Sequence, residues 1–488
     1  MRPSRGAGTE YTDTGATPRN RLPEARGIPL PGQASGGARH PRFVSHPEAP
    51  GMPRAWLSLG SVTLRGPLSL GAALAAGLSL TLSSCTGAGA PATLAGGSPT
   101  ASATVVAKPA ASNAGTPAPA PGGTTPTPAP APATPAKDGS TVTIALTGDV
   151  LLHSGVTDQA ARDGAANPGQ ASHGLDYRPL LAGAKPFVEG ADLAICNLET
   201  PVAPPGGPYT SYPVFSVPPE ILPALVDTGF DACTTASNHT VDKGVPGIQR
   251  TLDAMDAAGL KHAGSNRSAE EQSGTTMLDA HGVKVALLAY AYGLNGFRLP
   301  ADKTWAVDVI DTATILADAR AARSAGAQIV LVALHAGTEY QILPTAQQRD
   351  VATALAASPD IDLIYGHHAH VVQPFDKIGD TWVAYGLGNM IAHQHRLPKL
   401  TMAQHEVMGS FTFAQGSDGR WAVTKAEARP AAMSNLNEPL RYVDLATLLA
   451  DPAVSEARKA AYRPFYDRAV AALTKLGADG KGLVIAGR

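Results

Sequence analysis

Short apolar runs alternate with longer amphipathic stretches along most of the chain. The apolar runs lie at 141–147, 193–197, 232–236, 283–290, 329–334, 361–365 and 382–387. Between several of them, apolar residues recur at helical spacing, as at 248–258, 315–325 and 347–357. Strands that alternate with helices predict an α/β fold with a substantial parallel component. The periodicity alone does not separate a doubly wound sheet from a sandwich of two sheets.

The pattern changes at the C-terminal end of the chain. An amphipathic helical period dominates the stretch 437–488. Such a period indicates helices with one apolar face to bury. We therefore expect a helical extension that packs on a main domain at 140–436.

A segment near the N-terminus has the pattern of a secretory signal. Arg54 and Arg65 precede an apolar run at 68–82, which is too short for a comfortable membrane span. The sequence LSSC follows and ends at Cys85, and it looks like a bacterial lipobox, whose cysteine becomes lipidated. An ordinary short apolar segment and an uncleaved anchor are the alternatives. Segment 52–85 is thus predicted to be a lipoprotein signal peptide, which would anchor the mature protein to the cell membrane outside the cytoplasm.

The segments on either side of this signal are predicted to carry no folded domain. Residues 1–51 are rich in Arg, Gly and Pro, and we interpret them as a non-functional extension before a true start at Met52. Residues 86–139 are almost entirely Ala, Pro, Thr, Gly and Ser. That composition cannot bury enough apolar area to offset the entropy of ordering, so it predicts a disordered linker.

Charge and cysteine content narrow the possible partners and compartments. A net charge of -2 with 16% charged residues gives no basic surface for nucleic acid, so no nucleic-acid partner is expected. If Cys85 is lipidated, Cys196 and Cys233 remain, each within an apolar run. Two buried thiols and a single disulfide both fit this placement, and an exported protein meets conditions in which a disulfide forms.

Polar side chains follow the apolar runs at the points where the runs stop. They are Asp149, His153, Asn197, Glu199, Asn238, His239, Asp242, His335, Glu339, His367, His368, His370 and Asn389. The carboxyl ends of strands form the ligand crevice of open α/β sheets, so we expect these groups to converge. A lone Gly-Asp turn or a lone histidine has a structural explanation at least as readily as a functional one.

The sequence GHHAH at 366–370 is the strongest single signal, because it holds three of the chain's 14 histidines. Three imidazoles at one strand end repel one another when protonated, which favours a metal or anion site. A mixed set of imidazoles, carboxylates and amides suits Zn, Mn, Fe or Ni better than Ca or Mg. The donors outnumber the needs of one ion, which predicts a pair about 3.5 to 4 Å apart that shares a carboxylate.

Six motifs occur in the order of a known family. They are TGDVLLH, CNLETPV, ASNHTVDKG, LHAGTEY, GHHAHVVQP and YGLGNM. They resemble the successive signatures of the CapA family, which is associated with synthesis of poly-γ-glutamate capsules. That family is similar to the calcineurin-like metallophosphoesterases. The resemblance therefore implies an α/β fold in the form of a metallophosphoesterase-like two-sheet β-sandwich flanked by helices.

The resemblance also implies roles for the matched residues. The implied ligands of two divalent ions (Mn, Fe or Zn) are Asp149, Glu199, Asn238, His335, His368 and His370. Glu199 would bridge the ions, His239 would stabilise the transition state or act as general acid, and Asp242 would orient His239. The residues implied to contact substrate or support the ligands are His153, Asn197, Glu339, His367 and Asn389.

The GHHAH motif departs from the pattern Gly-His-x-His of the phosphoesterases, so either His367 or His368 could hold the equivalent place. Residues i and i+2 of an extended strand face the same side. On that argument His368 and His370 are expected to face the crevice, and His367 to point away from it.

Two functional hypotheses follow from the resemblance. In the first, the protein is a metal-dependent hydrolase that acts on a phosphoester or on an anionic envelope polymer such as poly-γ-glutamate. In the second, the same crevice holds such a polymer without turnover. Both imply work in synthesis, export or anchoring of a capsule or envelope polymer, with capsule synthase proteins as possible partners.

Overall fold

The computed structural model describes residues 141–394, 403–434 and 438–488. The predicted extension at 1–51, the signal peptide with Cys85, and the linker at 86–139 lie outside the described residues. Within the described part of the chain, no helix is both long enough and apolar enough to cross a membrane.

The chain alternates strands and helices from its first described residue. The strands are β1 (Thr141–Val150), β2 (Leu193–Leu198), β3 (Ala232–Thr234), β4 (Lys261–Ala263), β5 (Thr276–Ala280), β6 (Val283–Ala291), β7 (Ile329–His335), β8 (Leu363–His367), β9 (Phe375–Ile378), β10 (Thr381–Ala384), β11 (His405–Gln415), β12 (Trp421–Met433), β13 (Tyr442–Asp444) and β14 (Leu483–Ile485). The helices are α1 (Ser154–Ala166), α2 (Arg178–Leu181), α3 (Lys185–Val188), α4 (Ile221–Thr228), α5 (Gly244–Ala258), α6 (Ala269–Gln272), α7 (Thr312–Ser324), α8 (Ala346–Ala356), α9 (Leu445–Ala450) and α10 (Glu456–Leu473).

The described strands form two mixed sheets. The first has the order β13-β12-β11-β1-β2-β3-β4, with β14 paired to β12, and the second has the order β5-β6-β7-β8-β10-β9. Strands β1 to β4 are parallel, as are β6, β7, β8 and β10. This confirms the predicted α/β class and its two-sheet form, and excludes the doubly wound alternative.

Side-chain alternation explains how the sheets pack. Ile144, Leu146 and Ile195 of the first sheet join Leu331 and Leu363 of the second in one buried apolar cluster, which places this core between the sheets. The intervening residues of β1 and β2 face the opposite side, where a second cluster contains residues of α1, α4 and α5. Helices α7 and α8 cover the outer face of the second sheet. The period of two along each strand thus gives every sheet two buried faces.

A disulfide joins Cys196 of β2 to Cys233 of β3. The two residues are directly paired in the parallel register, and their Cα atoms lie 4.4 Å apart. The structure therefore favours the disulfide over the two free thiols that the spacing also allowed. The link ties together the two strands whose ends carry Glu199 and Asn238.

The C-terminal segment contains more than the predicted helices. Helices α9 and α10 are present, but β14 also pairs with the middle of β12, and β13 pairs with its C-terminal end. The helical period of 437–488 did not reveal these strands, because each is only three residues long. The segment is thus built into the first sheet.

Candidate metal centre

The predicted site residues meet where parallel strands of both sheets end. Asp149 lies at the end of β1, Glu199 directly follows β2, and Asn238 lies four residues after β3. His335 is the last residue of β7 and His367 the last of β8. Packing of the sheets face to face brings these five ends to one crevice, as expected for the carboxyl edge of parallel strands.

Asp149 is the most highly connected carboxylate of the crevice. Its Oδ1 accepts a hydrogen bond of 2.9 Å from the Asn197 side-chain amide. Its Oδ2 lies 3.1 Å from Nδ1 of His370 and accepts a hydrogen bond of 3.3 Å from the backbone N–H of His368. Burial would raise the pKa of Asp149, but His367 and His370 hold that pKa well below its usual value. Asp149 is therefore ionised within the fold.

Glu199 lies opposite Asp149 and is fully buried. Its Oε1 is 3.8 Å from Nε2 of His335 and 3.7 Å from Nε2 of His370. Among the described residues, neither carboxylate oxygen has a hydrogen-bond partner. Burial raises the pKa of Glu199 well above its usual range, which reflects the cost of an ionised group at this position.

Asn238 and His335 are two further candidate metal ligands near Glu199. Nε2 of His335 donates to Oδ1 of Asn238 at 2.8 Å, and the Asn238 amide donates to Oδ1 of Asn295 at 3.1 Å. Two ligands that are each about 2.1 Å from one ion and at right angles lie roughly 3 Å apart. The separation of these two atoms therefore suits joint binding of one ion as well as a direct hydrogen bond.

The three histidines of GHHAH all enter the crevice. Nδ1 of His367 lies 3.1 Å from Oδ1 of Asp149, so the expectation that His367 points away was wrong. The alternation expected of an extended strand does not hold here, because β8 ends at His367, and His368 and His370 have positive φ angles of 83° and 54°. A left-handed backbone at these residues replaces the alternation of an extended strand. His368 and His370 do face the crevice as expected, but a turn places them there.

His370 links the two carboxylates. Its Nδ1 donates at 2.9 Å to Oδ1 of Asn389, which leaves Nε2 facing Glu199. Burial alone would lower the pKa of His370, but Glu199 and Asp149 raise it to about 9. By contrast, burial and the proximity of His370 lower the pKa of His368 to about 3, so this imidazole is neutral.

His239 and Asp242 form a hydrogen-bonded pair beside these donors. Nδ1 of His239 lies 2.8 Å from Oδ2 of Asp242, and the same oxygen accepts a bond of 2.7 Å from the backbone N–H of Phe215. The Phe215 ring meets the His239 ring edge-on, with 4.8 Å between centroids. The imidazole is thus fixed in orientation, and Nε2 is the ring nitrogen that Asp242 does not engage.

The remaining predicted residues lie around this centre. Asn197 donates to Asp149, and Asn389 supports His370, so both orient ligands. Glu339 is exposed, with a carboxylate oxygen within 4.8 Å of ligand atoms of His368 and His370. His153 is half-buried beside Phe215, and its Nδ1 accepts from the backbone N–H of His393 at 3.3 Å, so it lies outside the ligand groups.

Two further residues at the site were not predicted from the sequence. Tyr292 follows β6, and its ring centroid is 4.5 Å from that of His368. Glu406 on β11 is fully buried, and its Oε1 accepts from the backbone N–H of Gly148 at 2.8 Å. Burial raises the pKa of Glu406 to about 8. Glu406 belongs to none of the motifs, whereas Tyr292 lies two residues after the apolar run at 283–290.

The donors fall into groups of the size that a metal ion needs. One group comprises Asp149, Glu199 and His370, and another comprises Glu199, His335 and His368. In each group the ligand atoms lie within 4.8 Å of one another. Both groups include Glu199, whose unpaired oxygens are the buried acceptors that a cation would satisfy. These residues therefore fit a divalent ion, and Glu199 belongs to both groups.

Comparison with known proteins identifies the family. A family model described as "Bacterial capsule synthesis protein PGA_cap" matches residues 143–394, which include all the predicted site residues from Asp149 to Asn389. The chain belongs to this capsule synthesis family. The PGA_cap match ends before β11 begins, so Glu406 lies outside the matched segment.

Curated relatives of this PGA_cap chain carry capsule names. It is 26% identical over 269 residues to "Capsule biosynthesis protein CapA" of Bacillus anthracis, across 53% of this chain and 61% of that protein. It is 29% identical over 225 residues to "PGA biosynthesis protein CapA" of Bacillus subtilis, across 43% of this chain and 55% of that protein. The matched segments thus span about 55% to 61% of these two relatives.

Two solved structures similar to this chain have titles that name a phosphatase and a phosphoesterase. One is a phosphatase from Mycoplasma pneumoniae, at 14% identity and a TM-score of 0.38, covering 61% of this chain and 95% of that one. Another is the calcineurin-like phosphoesterase YfkN from Bacillus subtilis, at 14% identity and a TM-score of 0.35, covering 68% and 98%. The family assignment rests on the sequence match.

Proposed function

We propose that this chain binds divalent transition-metal ions in its crevice and acts on an anionic polymer of the bacterial envelope. The observation that carries the proposal is the burial of the Glu199 carboxylate without a hydrogen-bond partner among the described residues. A fully buried carboxylate with two unpaired oxygens costs several kcal/mol unless a cation or hydrogen-bond donors compensate it. Imidazole nitrogens of His335 and His370 flank Glu199 at 3.8 and 3.7 Å, which leaves space for an ion to contact carboxylate and imidazole together.

The chain's own residues would position an anionic substrate. A bound divalent ion supplies Lewis-acid polarisation of a phosphoryl or carboxyl oxygen. Asn197 and Asn389 hold Asp149 and His370 in fixed orientations, which keeps the ligand geometry preorganised. His239, held by Asp242, presents Nε2 as a donor or acceptor for a proton on the substrate.

The family description supports a role in the bacterial capsule, and the name of the Bacillus subtilis relative suggests which polymer is handled. We propose that the substrate or cargo is poly-γ-glutamate or a related anionic envelope polymer, handled during its synthesis, export or anchoring. Capsule synthase proteins would be partners in that process. The ions would be Mn, Fe or Zn, because imidazole and carboxylate ligands suit these metals.

A metal-dependent phosphoesterase is the second candidate, and the pair formed by His239 and Asp242 favours it. A non-catalytic polymer-binding protein would need no imidazole oriented by a buried carboxylate. Measurable hydrolysis of a phosphoester supports the enzyme, whereas polymer binding without turnover supports the binding protein.

Metal content tests the proposal directly. We expect the purified full-length protein, reloaded in turn with Mn, Fe and Zn, to retain stoichiometric metal by elemental analysis. A His368→Ala/His370→Ala variant should lose it, because too few ligands remain. His281→Ala is the matched control, because this imidazole lies on the turn after β5 and is 79% exposed. Well-folded wild-type protein that takes up no metal would contradict the proposal.

The site of action is proposed to be the outer face of the cell membrane. Lipidation of Cys85 would anchor the protein there, and Cys85→Ala should release it from the membrane fraction, because a diacylated cysteine is what supplies stable attachment. Fractionation and immunoblotting measure this. Wild-type protein found free in the culture medium, with its signal cleaved at another residue, would contradict the anchor.

A further inference from the structure

Glu406 lies on β11, the strand that pairs with β1, and contacts the residue before Asp149. It is fully buried, and Oε1 accepts the N–H of Gly148 at 2.8 Å. Gly148 immediately precedes Asp149. Among the described residues, Oε2 of Glu406 has no hydrogen-bond partner, and the Tyr442 hydroxyl is close enough to influence its pKa. Burial of a glutamate carboxyl at this position costs free energy, and strand pairing alone does not require it.

The sheet does not supply a partner for the Gly148 N–H. Backbone pairing of β1 with β11 runs from Thr141 to Leu146, and the pairing of β1 with β2 shifts register between Leu146 and Asp149. Within this irregular stretch, the Glu406 side chain accepts the bond in place of a backbone carbonyl. A buried N–H without a partner would be costly, so the local path of the chain at Asp149 depends on this acceptor.

The backbones around Gly148 are in direct contact. A Cβ added to Gly148 would collide with the carbonyl of Gly388, and one added to Gly388 would collide with the carbonyl of His405. Gly388 has a φ of 83° and forms an isolated bridge to Glu406. With no side chain between these backbones, the Glu406 carboxyl adds a side-chain hydrogen bond from β11 to Gly148, beside the backbone hydrogen bonds that join Asp149 to Gly388 and Ile391.

The backbones around Gly148 and Gly388 connect to the candidate ligands at two points. The Asp149 N–H donates to the Gly388 carbonyl at 2.9 Å, and the next residue, Asn389, accepts from His370. Movement of β1 against β11 would thus displace Asp149 relative to both Asn389 and His370. Asp149 and His370 belong to the same candidate ligand group.

We propose that Glu406 is a positioning residue, which holds the end of β1 so that Asp149 meets His370 and Glu199 around a divalent ion. The inference rests on the proposed metal site and extends it to a residue outside the matched family segment. Glu406 acts as a hydrogen-bond acceptor for Gly148, not as a ligand. Its replacement should therefore weaken metal binding through geometry, even though every ligand remains.

The test compares Glu406→Gln and Glu406→Leu in the full-length protein. Glutamine keeps an acceptor for Gly148 and the neutral state, whereas leucine fills the volume without an acceptor. Glu220→Gln is the control, because Glu220 is also buried, its Oε1 contacts His173, and its Oε2 has no partner among the described residues. Titration calorimetry with Mn²⁺ gives the affinity, and hydrogen exchange of the metal-free proteins, read on the peptide that contains Gly148, reports the hydrogen bond itself.

We expect Glu406→Leu to bind Mn²⁺ about 10- to 100-fold more weakly, as is typical when a supporting residue of a metal site is lost. Its Gly148 peptide should also exchange faster. Glu406→Gln and Glu220→Gln should stay within about threefold of wild type, well below that loss. Unchanged affinity in Glu406→Leu, or equal losses in both Glu406 variants, would overturn the inference.

Two outcomes separate this inference from the proposed function. If wild type takes up no Mn²⁺ but the Leu variant alone exchanges faster at Gly148, the proposed metal site fails while the positioning of β1 by Glu406 is supported. If wild type binds Mn²⁺ and the Leu variant binds it equally well, only the inference fails. Should Glu406→Leu not fold, the Gln variant still decides, because loss of affinity there excludes an acceptor role.

Discussion

Asp242 acts on the crevice through one other side chain. Its Oδ2 holds both the Phe215 N–H and Nδ1 of His239, which fixes the imidazole with Nε2 directed away from Asp242. Neither Asp242 nor His239 belongs to a candidate ligand group among the described residues. Metal binding and proton transfer can therefore be separated by substitution.

Asp242→Asn is expected to keep the metal and lose turnover. The amide preserves the shape of the side chain but no longer holds the same imidazole tautomer, so kcat on a simple phosphoester should fall on the order of 100-fold. Elemental analysis and steady-state kinetics on one preparation measure both. A variant with wild-type kcat would remove His239 from the chemistry, and a variant that loses its metal would show that Asp242 supports the ligands instead.

The polar residues at the predicted strand ends identify most of the crevice from sequence. This prediction brought Asp149, Glu199 and His335 together correctly, because the end of a parallel strand has a defined position in the sheet. It failed for His367, since it assumed an extended backbone beyond the end of β8. A left-handed turn at two histidines is hard to predict from sequence, because glycine is the residue that usually marks such a turn.

At the scale of elements, sequence reasoning missed the longest hairpin. Strands β11 and β12 pair over 11 positions, yet neither was predicted. The prediction relied on continuous apolar runs, which mark strands buried on both faces. The first half of β12 instead places exposed or half-buried positions between buried ones, and Lys425, Glu427 and Arg429 make it read as polar chain. Glu406 lies on this hairpin, which explains why it too was missed.

The contact between β11 and α10 has a measurable signature in pH. His405 of β11 is buried, with its ring 4.9 Å from that of Phe465 and its Nε2 3.4 Å from Nη2 of Arg468. Burial, with a smaller effect from Arg468, lowers the pKa of His405 to about 3. The folded protein therefore keeps this imidazole neutral at pH values where the unfolded chain is protonated.

The sign of the effect follows from proton binding. Below about pH 6.5 the unfolded state binds a proton that the folded state excludes, so folding stability falls as the pH falls towards 3. Between pH 8 and 5, wild type should lose about 2 kcal/mol more unfolding free energy than His405→Gln. Urea unfolding in EDTA measures both proteins, and their difference at pH 8, where the imidazole is neutral in both states, is the reference. Parallel pH profiles would contradict the buried neutral histidine.

At the scale of the whole chain, the C-terminal segment contributes to the core, whereas the N-terminal residues were not expected to. Residues 1–51 and 86–139 were predicted from composition to carry no folded domain, and 52–85 was predicted from its pattern to be a signal peptide. The C-terminal segment instead provides α10, whose Tyr462, Phe465 and Tyr466 pack on Ala432 of β12, and β14, which pairs with β12. The helical period predicted that this segment packs on the domain, but its strands were too short to show in the pattern.

Truncation should separate these contributions. A chain that starts at Thr141 is expected to keep the wild-type thermal midpoint, whereas a chain that ends at Val454 should not unfold cooperatively. Removal of α10 and β14 takes Leu473 and Ile485 out of the core between the sheets as well as the aromatic cluster on β12. At about 1.5 to 3 kcal/mol for each large apolar side chain, this loss matches or exceeds the 5 to 15 kcal/mol of net stability typical of a domain. Differential scanning calorimetry of both truncations measures the contrast, and a cooperative transition near the wild-type midpoint in the shorter C-terminal form would show that the segment is dispensable.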